Sequence, residues 1–306
     1  MGLRDLFRSK KKPEPTVVGF YGKLPSAGDF LRLNASGTEL QLLDRWLSEA
    51  IAMAERSGDD WPEVYSGAAP LSFMLHDDSG KSERCVLGAM VPSSDQIGRR
   101  FPMVVFTALD RQLVSEYPAL PHHEFLRDAR ALLAGCERLT RETLEASVAR
   151  IGPPNSEALD RARTAHESYM VNTDCGAAFH PVFFGRDPRQ IGRALDTLRS
   201  ACRSLTSPSS VPRFGLRCPL GGPDPAQIAG LWLDLQRHWT PIDLLPQLLW
   251  TDEALVVYFR QPASRSLNAV WRPTWQHDSI CDLATSDSGG EEGPPPPHTP
   301  LRTLLP

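Results

Sequence analysis

Between residues 38 and 56 apolar side chains recur every three or four positions, at Leu40, Leu43, Trp46, Leu47, Ala50, Ile51 and Ala54. Glu39, Asp44, Arg45, Glu49 and Arg56 lie mostly on the opposite face. This spacing predicts an amphipathic helix, stopped by Gly58. Ahead of it, Val17, Val18, Phe20 and Tyr21 make residues 16–21 a strand, because β-branched and aromatic side chains suit a pleated surface. Three further apolar runs, at 71–76, 85–91 and 103–109, read as strands. The polar segment 77–83 is too short for a parallel crossover, so the first two form an antiparallel hairpin. Helices follow at 124–137 and 142–150, with Leu126, Leu132, Leu133, Leu139 and Leu144 as inward positions.

Gly152, Pro153 and Pro154 mark a break, after which the alternation resumes. The pattern predicts helices at 156–168, 188–205 and 225–238, an apolar stretch at 182–184, a loop at 207–212, a strand at 213–218 and a strand pair at 248–251 and 254–259. In the 225–238 helix, Ile228, Leu231, Trp232 and Leu235 share one side. Trp232, Trp239, Trp250, Trp271 and Trp275 concentrate here, so this part also needs a core. From residue 284 the chain turns to Ser, Gly, Glu and Pro, with the run Pro294 to Pro297, which reads as a disordered or polyproline tail. Helices alternating with hairpin-capable strands imply an α/β/α layered sandwich around a mixed, partly antiparallel sheet. The expected organisation is a basic flexible arm at 1–15, an α/β domain at 16–150, a C-terminal α/β part at 151–283 belonging to that domain or forming a second, and the tail at 284–306.

The 306 residues carry 33 Lys and Arg against 37 Asp and Glu, a net charge of −4, which disfavours a nucleic-acid-binding role. Cysteines at 85, 136, 175, 202, 218 and 281 form no Cys-x-x-Cys pair, and no secretory signal precedes them, so reduced thiols and a cytoplasmic location are expected. No apolar run approaches the ~20 residues of a membrane helix. The arm, with Arg4, Arg8 and Lys10 to Lys12 beside Leu3, Leu6 and Phe7, is the one segment suited to an anionic membrane surface. A solvated arm explains the same residues, and Leu6 stands where a myristoylation signal needs Ser or Thr.

Familiar catalytic patterns are missing from the sequence. Gly19 and Gly22 before Lys23 are spaced too closely for a phosphate loop, and Leu24 replaces the required Ser or Thr. The histidines are dispersed, and adjacent His122 and His123 cannot both face one metal from a helix, so no metal or cofactor is expected. No Gly-x-Ser-x-Gly elbow or Cys-His signature occurs. Two loops are nonetheless chemically dense. One runs from Gly22 through Lys23, Pro25, Ser26, Gly28 and Asp29 to Phe30; the other from Pro92 through Ser93, Ser94, Asp95, Gly98, Arg99 and Arg100 to Pro102. Each suits a polar recognition surface at a sheet edge. A purely structural role competes: Ser26, Asp29, Ser94 and Asp95 can bond nearby amides, Gly28 and Gly98 can take positive φ, and Arg99 or Arg100 can pair with Asp29 or Asp95.

The run Phe20-Tyr21-Gly22-Lys23-Leu24-Pro25-Ser26-x-Gly28-Asp29-Phe30, the helix segment Asp44-Arg45-Trp46-Leu47, and Pro92-Ser93-x-Asp95-x-x-Gly98-Arg99-x-Phe101-Pro102 together resemble the TagF family, also called ImpM, accessory proteins of bacterial type VI secretion systems. The resemblance covers about residues 16–110. A looser echo is Leu248-Leu249-Trp250-Thr251, in which Leu249 replaces a Trp of the family pattern. The resemblance implies a cytoplasmic α/β/α protein that restrains assembly or firing of the apparatus after translation, through a forkhead-associated scaffold protein. Some members are fused to a PP2C-type phosphatase; this sequence shows no Asp-rich metal motif, so any phosphatase is expected to be a separate protein. The family motif carries no catalytic residue over.

Three functions therefore compete. The first is a non-enzymatic regulator that sequesters a scaffold subunit, with Tyr21, Lys23, Ser26, Asp29, Asp95, Arg99 and Arg100 as partner-binding candidates. The second is a small-molecule hydrolase using Lys23, Ser26 and Asp29 near Asp95 and Arg99, which requires a nucleophile and base within hydrogen-bond reach in a cleft. The third is a membrane-surface adaptor working through the basic arm and the proline tail.

Overall fold

The computed structural model describes residues 16–58, 60–79, 82–116, 123–207, 211–212, 214–272, 279–285 and 293–305. The basic arm, and with it the membrane-contact expectation, lies outside them. Nine strands among these residues form one sheet: β1 (Val18–Gly22), β2 (Leu31–Leu33), β3 (Leu71–His76), β4 (Arg84–Val91), β5 (Met103–Asp110), β6 (Gly215–Pro219), β7 (Gln247–Trp250), β8 (Ala254–Tyr258) and β9 (Ile280–Asp282). Their order is β2-β1-β5-β4-β3-β7-β8-β6-β9. Every pairing is antiparallel except β6 with β9, so the sheet is mixed. The β3–β7 pairing, with Ser72 opposite Trp250, joins the strands of the first and second halves of the chain.

The helices are α1 (Thr38–Ser57), α2 (Trp61–Ser66), α3 (Arg111–Glu116), α4 (His123–Leu133), α5 (Arg141–Val148), α6 (Ser156–Asn172), α7 (Cys175–Val182), α8 (Arg189–Arg203), α9 (Pro225–Trp239) and α10 (Ser264–Trp271). Strand alternation sorts the buried residues into two cores, one on each face of the sheet. Cys85, Leu87, Ala89 and Val91 of β4 and Met103, Val105 and Leu109 of β5 face a core completed by Leu126, Leu144, Phe179, Leu198 and Trp232 from α4, α5, α7, α8 and α9. Val86 and Met90 of β4 and Val104 and Phe106 of β5 face the other, completed by Trp46 and Leu47 of α1, Trp61 and Tyr65 of α2, and Leu267 of α10. Burial on both faces makes the strands read as unbroken apolar runs rather than alternating ones. The expected α/β/α sandwich is the observed one.

Several short elements escape the sequence pattern: β2, α2, α3, α7, α10 and β9. The helix expected over 124–137 ends at Leu133, and Gly135 separates it from a 3₁₀ turn at Cys136–Arg138. The apolar stretch 182–184 is the end of α7 and the turn after it, with Phe183 buried and Phe184 exposed.

The expectation of a disordered tail is corrected for residues 293–305. Leu301 is fully buried, and residues Leu301–Leu304 form a 3₁₀ turn. The carbonyls of Thr299 and Pro297 accept from the amides of Cys175 and Gly176, each at 2.8 Å, and the Leu301 amide donates to Thr173 at 2.9 Å. Those acceptors serve the first amides of α7, whose N-cap Asp174 makes no side-chain bond. Proline lacks a donor but keeps its carbonyl, so a proline run can cap a helix from outside.

Candidate functional site

The two dense loops meet at one end of the sheet. Because β1 and β4 each run antiparallel to β5, the end of β1, the end of β4 and the start of β5 lie together. Gly22 makes the approach possible: its φ is 140°, and a Cβ there would fall on the Pro102 carbonyl oxygen.

Asp95 sits at the centre, 2% exposed. Its carboxylate lies 3.0 Å from Lys23 Nζ and 2.6 Å from Arg99 Nε. It also accepts from the amides of Arg99 at 2.8 Å and Ile97 at 3.2 Å. Burial pushes the Asp95 carboxyl up, but the Lys23 ammonium and the Arg99 amide and guanidinium outweigh it and hold the group well below the usual carboxylate range. Lys23 is also buried, with its ammonium 4.9 Å from the centre of the Phe30 ring. Arg99 continues across to the first loop, donating from Nη2 to the Gly28 carbonyl at 2.9 Å, and the Gln96 amide donates to Ala27 at 2.9 Å.

The remaining polar groups hold the loops to their surroundings. Ser26 donates its hydroxyl to the Leu139 carbonyl at 2.7 Å, and Ser93 donates to the Lys23 carbonyl at 2.7 Å. Asp29 accepts from the Phe30 amide at 2.8 Å. Tyr65 both donates to the Ser93 carbonyl, at 2.9 Å, and accepts from its amide, at 3.0 Å. Tyr21 donates to Asp44 on α1 at 2.6 Å; burial and that carboxylate together push its phenol up. The Asp44-Arg45-Trp46-Leu47 segment thus clamps Tyr21 through Asp44 and fills a core through Trp46 and Leu47. Tyr21, Phe30 and Phe101 pack as an aromatic triplet, with ring centres 4.8 to 5.6 Å apart.

All seven candidate residues stand at this end of the sheet, but they are not alike. Lys23 and Asp95 are buried, and Tyr21 is half-buried with its hydroxyl bonded. Ser26, Asp29, Arg99 and Arg100 are exposed. Of the pairings considered, Arg99 takes Asp95, while Asp29 serves a backbone amide. Gly98 has positive φ, at 84°, whereas Gly28 does not. The sequence reading missed Ile97, which is 74% exposed at the tip of the second loop, and undervalued Phe30, which is 39% exposed. Neither is polar, and a search for polar chemistry passes over both. It also missed Tyr65, whose helix is announced by Asp60-Trp61-Pro62, a cap position followed by Pro in the first turn.

Beside the loops lies an open groove of about 300 Å³ lined by Pro25, Tyr65, Pro92, Ser94, Arg100 and Glu137 among others. Among the described residues the Ser26 hydroxyl has no bond to Asp29 or Asp95, its proton going to Leu139. The thiols are poor nucleophiles: burial pushes Cys175 and Cys202 up to about 11 and raises Cys136, which lies against Ser93. Among the described residues no cluster of three or more His, Cys, Asp or Glu is placed to hold a metal, and no helix is long and apolar enough to cross a membrane.

Fold and site together define an α/β/α sandwich protein whose sheet end carries a rigid two-loop platform. Residues 19–151 match the TagF N-terminal domain, Type VI secretion system-associated, a span that takes in both loops. Among solved structures the chain is similar to PA0076 from Pseudomonas aeruginosa PAO1, at 26% identity and a TM-score of 0.40. That match covers 45% of this chain and 64% of the other, so the chain spans less than two thirds of that relative's length. No significant match is found among curated proteins.

Proposed function

We propose that this chain is a non-enzymatic, cytoplasmic accessory protein of a bacterial type VI secretion system. It restrains assembly or firing after translation, by contact with a forkhead-associated scaffold protein. One observation carries the reading. The polar groups of the two family-motif loops bond to one another and to backbone, and the platform they stiffen presents Ile97, Phe30, Arg99 and Arg100 outward. A pre-formed surface of apolar and guanidinium groups suits protein recognition, because little ordering remains to be done on binding. A hydrolase would need Ser26, Lys23 and Asp95 free to exchange protons, whereas each is held in a bond that supports the loop.

The contact is tested by co-purifying the tagged chain with the scaffold protein, and the restraint by comparing secretion with and without the gene. Capture of the scaffold and increased secretion in the deletion strain are expected. Unchanged secretion overturns regulation; increased secretion without capture overturns the choice of partner.

A further inference from the structure

A separate cavity of about 310 Å³ lies between α4 and α9, above the seam where β3 meets β7. Its apolar walls are Leu126 from α4, Leu220 just after β6, Pro225 and Ala229 from α9, and Trp250 from β7. Ser72 lines it from β3, directly across the register from Trp250. The Ser72 side chain is wholly buried, and its hydroxyl has no hydrogen-bond partner among the described residues. Arg127, Arg130 and Asp252 line the same cavity. Arg130 Nη1 reaches Asp252 at 2.8 Å, and Arg127 Nη2 pairs with Asp128 at 3.0 Å; the carboxylate partners are exposed and therefore readily exchanged.

We propose that this cavity binds a small amphipathic carboxylate. Its apolar body sits between α4 and α9, its carboxylate faces Arg127 and Arg130, and a hydroxyl or carbonyl meets the Ser72 hydroxyl. Three independent features support it. The volume falls at the lower end of the range for ligand cavities, about 300–1,000 Å³, which are mostly apolar with a few placed polar groups. The position is a seam between two parts of the chain sharing one sheet, where helices from each part leave a gap. An unpaired buried hydroxyl is costly, and a ligand atom that bonds it discriminates strongly against one that does not. The inference is independent of the loop platform and its partner.

The test is calorimetric titration of the full chain with octanoate and with 8-hydroxyoctanoate. Both acids are expected to bind, the hydroxylated one about 5-fold tighter or more. Ser72→Ala should remove that difference while leaving octanoate binding in place. Arg127→Gln should weaken both acids by about 5-fold or more, and Asp252→Asn, which releases Arg130, should tighten both. Ala226→Phe, a half-buried position at the cavity, should block both; its melting curve separates blockage from misfolding, and exposed Arg127 provides a variant safe for folding. Absence of binding by either acid at about 5 mM overturns the proposal. So does binding that Arg127→Gln and a folded Ala226→Phe leave unchanged. A hydroxyl preference that survives Ser72→Ala overturns the role given to Ser72.

Discussion

The Lys23 ammonium, on the loop after β1, lies 3.0 Å from the Asp95 carboxylate on the loop between β4 and β5, and both side chains are almost wholly shielded from water. Removing one partner of a buried pair strands the other, which costs more than the pair itself contributes. Lys23→Met should therefore destabilise the protein by about 2–3 kcal/mol, less than for an isolated pair because Arg99 still reaches Asp95. Asp95→Asn should be worse, since four donors converge on that carboxylate. Urea midpoints of the two single variants and the double should be strongly non-additive. Additive shifts would show that the two loops are not joined through this contact.

The glycines of these loops should rank by backbone constraint rather than by exposure. Gly22 combines a φ of 140° with backbone already in the space a Cβ needs, so Gly22→Ala should cost at least about 2 kcal/mol. At Gly98 a Cβ meets nothing within 4 Å, but φ is 84°, so alanine there should cost about 1–2 kcal/mol. Gly28 has ordinary φ, and a Cβ would find only Gln96 Oε1 at 3.9 Å, so Gly28→Ala should be close to neutral. Denaturation midpoints in any other order would contradict the loop geometry.

The sheet is legible in the sequence because its strands are long apolar runs, and the run 71–76 coincides with β3. What escaped notice was held by tertiary contact. β2 is three residues closing the Phe20–Leu33 register, and β9 is three residues lying parallel to β6; neither has a periodic signal of its own. In the site, the motif residues could be named in advance, but not that Lys23 and Asp95 would be interior. Both are charged types that sequence reasoning sends to the surface, and only the antiparallel packing of β1 and β4 on β5 brings them together.

The tail provides a sharper case, because beyond the proline run only Leu301, Leu304 and Leu305 are apolar, too few for a periodic signal. Leu301 is fully buried against the core that also holds Met170, Cys175 and Phe179. Leu301→Ala should cost about 2–4 kcal/mol. Truncation after residue 292 should cost as much or more, because it also removes the carbonyls that accept from Cys175 and Gly176. A truncated chain that melts like the full one would restore the reading of a tail without structural role.

Two groups make the stability depend on pH in opposite directions. Asp95 is depressed in the folded protein, so its contribution is present above the ordinary carboxylate range and lost as pH falls through its lowered value. His166 bridges α6 and α9, with Nδ1 2.7 Å from Gln227 Oε1 and Nε2 2.8 Å from Asp234. Burial pushes the imidazole down, but Asp234, with Gln227 and Asp224, outweighs it and raises the group above its usual value. Its contribution is therefore complete below the ordinary histidine range, near pH 6.5, and lost as pH rises through the raised value. Across that range the denaturation midpoint of the native chain relative to that of His166→Gln should fall as pH rises. A difference that does not vary with pH would place the titration elsewhere.

Ile97 owes its exposure to the groups beneath it. The Asp95 carboxylate accepts from the amides on either side of Gly98, at Ile97 and Arg99, and positive φ at Gly98 turns the chain back between them. An aliphatic side chain held 74% exposed on a rigid turn loses little freedom when a partner covers it, and neighbouring Arg99 and Arg100 supply the charged surround typical of a binding hot spot. Ile97 and Arg100 are exposed, so in Ile97→Glu and Arg100→Glu folding stability should stay within about 0.5 kcal/mol of the native chain. If the proposed function holds, recovery of a forkhead-associated scaffold by the tagged variants should nevertheless fall about 10-fold or more. Lys23→Met, which loosens the platform while leaving its tip chemistry intact, should weaken recovery less than Ile97→Glu does. Full recovery with both tip variants would move the contact to another face of the sandwich.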